Sequence, residues 1–118
     1  MEKNLALQKN QLLNATTRAD LSGYPFAFQH DLRTLVDILQ SYKVDKVILY
    51  GLLARGDASE ESDVDICVEG LPEENFFVAY ADCLLAAEHA ISIIDLKSTY
   101  GHFRENILND GVILYERQ

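Results

Sequence analysis

The sequence predicts an α/β domain in which a small β-sheet carries helices packed against it. Three observations lead there: a continuous β-branched run at residues 46–50, strict apolar/polar alternation at residues 63–68, and a helical apolar face over residues 31–42. The elements follow in the order helix, strand, strand, helix, strand, helix, strand, and such a chain buries its apolar surfaces by laying helices on the sheet.

Residues 1–30 are read as an N-terminal extension and residues 31–118 as the domain. In the extension, Leu5, Leu12 and Leu13 can line one side of a short helix that Asn14, Thr16 and Thr17 weaken, and residues 22–25 read as a turn. Leu32, Leu35, Val36, Leu39 and Tyr42 then fall at the i, i+3, i+4, i+7 spacing of one helical face. Lys46, Val47, Ile48, Leu49 and Tyr50 are continuous rather than alternating, as in a strand covered on both sides. Gly51 ends it, and residues 53–61 are polar and irregular enough for a loop. In the next strand Val64, Ile66 and Val68 take one face while Asp63, Asp65 and Cys67 take the other. Residues 73–88 are apolar around much of a helix (Phe76, Phe77, Tyr80, Leu84, Ala87), which predicts a largely buried one with acids at its start. Residues 90–96 form a third strand. Ser98 is the expected N-cap of a helix to Asn109, Gly111 its left-handed terminator, and residues 112–115 the last strand.

Composition narrows the function. With 118 residues, 48% hydrophobic and 25% charged, the chain fits one globular domain. Ten Lys and Arg against 19 Asp and Glu give a net charge of −9, which repels phosphate backbones and disfavours a nucleic-acid binder. Cys67 and Cys83 have no metal-ligand spacing and lie in apolar stretches, so they read as buried thiols of a reducing cytoplasm. The first twenty residues carry no secretory signal, and the longest apolar run, residues 47–54, is far below the roughly 20 residues that cross a bilayer. The expected protein is soluble, with no membrane partner.

Chemistry concentrates between residues 51 and 65. Asp63 and Asp65, at i and i+2 on a strand, point the same way about 6–7 Å apart at the backbone, an unfavourable placement unless a cation lies between them or one is protonated. Such oxygens suit Mg²⁺, which takes one or two carboxylates and fills its octahedron with water and substrate phosphates. Asp95, alternating with Ile91 and Ile93 on an apolar strand, is the candidate third carboxylate; the other reading is a strand-end residue that caps a neighbouring turn. Upstream, Gly51 and Gly56 would let backbone N–H groups approach a triphosphate, and Arg55 would neutralise it. Surface pairing of Arg55 with Asp57 or Glu60 is the alternative. His30, His89 and His102 have no mutual spacing that suggests a metal site.

The run at residues 51–65 resembles the signature of the DNA polymerase β-like nucleotidyltransferase superfamily: Gly-Ser, ten residues, then Asp-x-Asp, with Ala-Arg-Gly in the spacer and Ser before the first Asp. Here Gly51 and Leu52 precede the spacer, Ala54, Arg55 and Gly56 stand inside it, and Ser62 precedes Asp63, Val64 and Asp65. The closing segment, from Phe103, Arg104 and Glu105 to Leu114 and Tyr115, is typical of the minimal nucleotidyltransferases, small prokaryotic members often paired with an all-helical HEPN protein as antitoxin and toxin. The resemblance implies a small mixed sheet and two divalent metals, Mg²⁺, on Asp63, Asp65 and Asp95. It also implies that Asp95 ligates the metal nearer the nucleophile and accepts its proton, and that Gly51, Leu52, Arg55 and Ser62 serve the nucleotide. Leu52 departs from the pattern by replacing the motif Ser, and losing one bond to a charged group costs roughly 1.5–3 kcal/mol, about ten- to a hundredfold in rate.

Three functions are therefore expected in turn. The first is transfer of a nucleoside monophosphate, AMP from ATP, onto a hydroxyl, the tyrosine of a partner HEPN ribonuclease toxin. The second is a weak or inactive relative that silences its partner by binding. The third, transfer onto a free small molecule, ranks last because little chain remains to build an acceptor pocket. The first two imply assembly with that partner or with further copies of the chain.

Overall fold

A computed structural model describes residues 16–118; the short helix expected around Leu5, Leu12 and Leu13 lies outside the described residues. Strands β1 (Thr16–Arg18), β2 (Lys46–Tyr50), β3 (Val64–Glu69), β4 (Ile91–Asp95) and β5 (Val112–Arg117) form one sheet in the order β1-β5-β2-β3-β4. β3 and β4 are parallel and the other pairs antiparallel, so the sheet is mixed. Helices α1 (Phe26–Ser41), α2 (Gly51–Arg55), α3 (Glu73–Ala86) and α4 (Gly101–Asp110), with a 3-10 turn at Leu96–Ser98, complete the described chain.

Strand alternation divides the sheet into two unequal faces. Val47, Leu49, Val64, Ile66, Val68, Ile91 and Ile93 join Phe28, Leu32, Leu35 and Leu39 of α1 and Ala79 and Cys83 of α3 in the main core. Ile48, Cys67, Leu96 and Ile107 form a smaller cluster on the opposite face, with Tyr50 and Ile94 packed on it. The central strand β2 is thus covered on both sides, as its continuous apolar run requires. The α1 face is as expected, with Leu32, Leu35, Val36 and Leu39 buried.

Several local expectations are corrected. β1, which pairs with β5, has no sequence signal, because three residues on a sheet edge are specified by their partner strand rather than by their own pattern. α1 begins at Phe26 rather than Asp31, since the Pro25 carbonyl accepts the Phe28 N–H and Phe28 stacks on His89. α3 buries only Ala79 and Cys83; Phe77 is 81% exposed, because one helix on one face can bury a single stripe. Ser98 caps nothing here: α4 starts after Tyr100, and the preceding turn is capped by Asp95. Gly111 is extended rather than left-handed; it is required because a Cβ would lie 2.3 Å from the Ile107 carbonyl oxygen and 2.6 Å from Ile48 Cγ2.

One buried charge ties these layers together. Asp31, fully buried on α1, accepts the N–H groups of Glu88 (2.9 Å) and His89 (2.8 Å) and lies 2.8 Å from His89 Nδ1. Burial alone would raise this carboxyl, but the bonds from Glu88 and His89 outweigh it and hold it below the usual carboxylate range. Asp31→Asn turns one acceptor oxygen into a donor facing donors, and is expected to lower the unfolding free energy by about 2–3 kcal/mol at pH 7 in urea denaturation. Because the folded value is depressed, this contribution is present above the unfolded carboxylate value of about 3.9 and is lost as pH falls through the folded one. The gap between wild type and variant should close in strongly acid solution; a gap independent of pH would refute the assignment.

Candidate active site

The site is built where β2 ends. Tyr50, its last residue, pairs with Asp65 on β3, and Asp65 in turn pairs with Ser92 on β4, so the three stand in one row across the sheet. After Tyr50 the chain turns sharply into α2 through Gly51 at φ +79°. A Cβ on Gly51 would lie 2.4 Å from Asp65 Oδ2, so the carboxylate rests against the bare α-carbon. Glycine is needed here twice, for the backbone angle and for the space.

Asp63 stands one residue before β3, on the side Asp65 faces. Burial, and next the charge of Asp63, raise the Asp65 carboxyl above its ordinary value, while Arg55 acts the other way. Asp63 and Arg55 therefore each lie within electrostatic reach of Asp65. Arg55 is exposed at the end of α2, where the left-handed Gly56 stops the helix. Leu52 is 45% exposed on the first turn of α2, outside the core that holds its neighbour Leu53. Ser62 closes the loop before β3 instead of reaching outward: its Oγ accepts the Ser59 N–H at 2.9 Å and its own N–H donates to the Ser59 carbonyl at 3.0 Å.

Asp95 is not brought to this group. In the parallel β3–β4 register it pairs with Val68, three residues beyond the Asp65–Ser92 pair, about 10 Å along the strands. Alternation also sets it with Ile91 and Ile93 on the main-core face, away from Asp65. Its Oδ1 accepts the Lys97 N–H at 3.0 Å, the turn-capping role that was the other sequence reading. Among the described residues no three of His, Cys, Asp and Glu gather as a metal site. The chemistry of the pair itself, two hard oxygen donors, fits a single divalent cation.

Sequence reasoning missed Tyr50 and Ser92. Tyr50 is pushed up to about 12, first by burial and then by the Asp65 charge, while a hydrogen bond with the Ser92 side chain acts against this. Phe103 of α4 packs edge-on against its ring at 5.9 Å. The signal was parity: if Ile91 and Ile93 face the core, Ser92 faces the carboxylates and Asp95 does not. Cys67 shares that face but is packing; burial pushes its thiol up to about 12.

The profile of the family described as polymerase beta nucleotidyltransferase matches residues 33–118. The chain belongs to this nucleotidyltransferase family. Two relatives from Methanocaldococcus jannaschii carry the name protein adenylyltransferase: one is 30% identical over 80 residues, covering 62% of this chain and 80% of the relative, and the other 41% over 56 residues, covering 48% and 54%. Among solved structures, this nucleotidyltransferase is similar to a toxin–antitoxin with AMP-PNP, at a TM-score of 0.62 and 20% identity over 74% of each chain. It is likewise similar to a minimal nucleotidyltransferase, at 0.60 and 22% over 81% of this chain and 97% of that one. A third likeness is to the complex of a tri-AMPylated Shewanella oneidensis HEPN toxin with its MNT antitoxin, at 0.58 and 18% over 76% and 73%. At these identities the likenesses establish the fold.

The Asp65 shift has a measurable sign. A raised folded value makes the ionised carboxylate destabilising at neutral pH, a cost absent below the unfolded value of about 3.9 and present as pH rises through the folded one. Without divalent ions, Asp65→Asn should raise Tm at pH 7 and leave it unchanged at pH 3, by differential scanning calorimetry. Gly51→Ala should cost more than about 1 kcal/mol from the left-handed backbone alone and push the carboxylate aside.

Proposed function

We propose that this nucleotidyltransferase moves AMP from ATP onto a hydroxyl, that the acceptor is a tyrosine of a helical HEPN-type ribonuclease toxin, and that the chain is its antitoxin. The observation that carries the reading is the Asp63 and Asp65 pair seated beside Gly51 in a chain of this family. Support for the donor and partner comes from relatives named protein adenylyltransferase and from the same fold in toxin–antitoxin structures, one with AMP-PNP and one with an AMPylated toxin.

In the reaction the acceptor oxygen attacks the α-phosphorus, the bond from that phosphorus to the bridging oxygen of the β-phosphate breaks, pyrophosphate leaves and the hydroxyl proton passes to water. Asp63 and Asp65 would hold a divalent ion, Mg²⁺, which supplies charge neutralisation and in-line alignment of the triphosphate. Gly51 and Leu52 open α2 directly beside the Asp65 carboxylate, where they would face the phosphates. Arg55 adds the positive charge the phosphates need, and Ser62 keeps the loop that brings Asp63 back to the sheet. The family match begins at residue 33, and β1 and the first turn of α1 join the same sheet and core, so the catalytic unit takes in residues 16–30 together with residues 31–118. Among the described residues no helix is long and apolar enough to cross a membrane, and with two buried, unreactive thiols the reading places the protein in the cytoplasm.

Leu52 and Ser92 favour a second reading, in which catalysis is weak and the acidic chain neutralises its partner by covering a basic RNA-binding surface. Incubation with Mg²⁺, α-labelled ATP and the co-expressed helical partner separates the two. Transfer predicts a labelled tyrosine, loss of label in the Asp63→Asn, Asp65→Asn double variant, and a ten- to hundredfold faster reaction for Leu52→Ser. No label from any of the four triphosphates, with the double variant still protecting cells, supports occlusion instead.

A further inference from the structure

We infer that this nucleotidyltransferase holds one divalent ion, on Asp63 and Asp65, and that Ser92 occupies the position at which a second ion would require an anionic ligand. The inference rests on the reading of the Asp63 and Asp65 pair as the metal-binding part of the site, and it departs from the two-ion chemistry that the sequence resemblance implies.

The argument is one of register. β3 and β4 are parallel and aligned without a bulge from the Val64–Ile91 pair to the Val68–Asp95 pair. Neighbours across such a sheet lie about 4.8 Å apart, so the side chain standing next to the Asp65 carboxylate on the β4 side is that of Ser92. On the β2 side stands Tyr50, which brings a phenol rather than a carboxylate. Asp65 is thus flanked in its row by two hydroxyl side chains and by no second acid. Asp95, three residues on and on the opposite face, is committed to the Lys97 N–H and lies 3.9 Å from Lys97 Nζ.

Two divalent ions about 3.5–4 Å apart repel strongly unless carboxylates bridge and flank them. Asp63 and Asp65 bring two negative charges, enough to balance one such ion. The protein itself adds no third negative charge in this row, since the neighbours of Asp65 are Tyr50 and Ser92. Arg55 is a further cation in the same field. No rearrangement of one rotamer brings Asp95 across the sheet, because alternation sends its side chain to the other face.

Adding the missing carboxylate should therefore change the count of ions. Mn²⁺ serves as the probe in equilibrium dialysis of the full chain saturated with a non-hydrolysable ATP analogue, only the Mn²⁺ carried by unbound analogue being subtracted, with electron paramagnetic resonance to detect a coupled pair. Wild type is expected to bind one ion per chain, Ser92→Asn one, and Ser92→Asp two with a spin-coupled signal; Asp65→Asn should bind none. With MgATP and the partner, Ser92→Asp is expected to transfer AMP at least tenfold faster than wild type. Two ions in the wild-type chain overturn the inference and leave the Asp63 and Asp65 reading standing. None in wild type overturns that reading, and the inference with it. A single ion in a folded Ser92→Asp chain, its fold checked by circular dichroism, also overturns the inference.

Discussion

The contact between the Asp65 carboxylate and the bare α-carbon of Gly51 is the constraint around which the site is organised. It demands that β2 stop at Tyr50, that the chain leave through a left-handed residue, and that a helical turn start at once. That turn places Arg55 within reach of the Asp65 carboxylate. The same contact holds Asp65 in a partly dry position beside Asp63, where its ionised form is disfavoured until a cation arrives. Stability is given up at one carboxylate of the proposed site, a common relation between strain and function.

The second determinant is remote from the chemistry. Asp31 binds the N–H groups of Glu88 and His89, the residues that lead into β4. By fixing where β4 begins, a buried charge on α1 fixes which residue of β4 lies beside Asp65. Slipping that strand by one residue would exchange its two faces, bringing the apolar Ile91 or Ile93 to the carboxylates and turning Ser92 into the core. The core in turn depends on the register, since Ile91 and Ile93 must meet Val64 and Ile66. Packing and polar anchoring therefore agree on one alignment, and the composition of the site follows from it.

Much of this was legible in advance. The amphipathic face of α1, the doubly covered β2, the alternation of β3 and the spacing from Gly51 to Asp65 all carry local signals whose periods are set by the residues themselves. Less was legible where an element is defined by its partner. β1 has no pattern of its own, α3 reads as buried although most of its circumference faces solvent, and Gly111 serves a close approach rather than a left-handed turn. Asp95 was assigned to the site because an acid on an apolar strand asks for a partner; its partner is the next turn. The alternation that placed it with Ile91 and Ile93 already contained the correction, once those two are known to face the core.

By itself, then, the sequence determined that the chain is one acidic α/β domain with a nucleotidyltransferase signature, and that Asp63 and Asp65 share a strand face. Those properties follow from composition and from periods of two and 3.6 residues, which are local. Only the tertiary structure decided what stands beside Asp65. Strands β3 and β4 are joined through α3, and no local pattern sets the alignment of two strands separated by a helix. That alignment comes from long-range packing and from the hold of Asp31 on the start of β4, and it puts a serine, rather than an acid, next to the carboxylate pair.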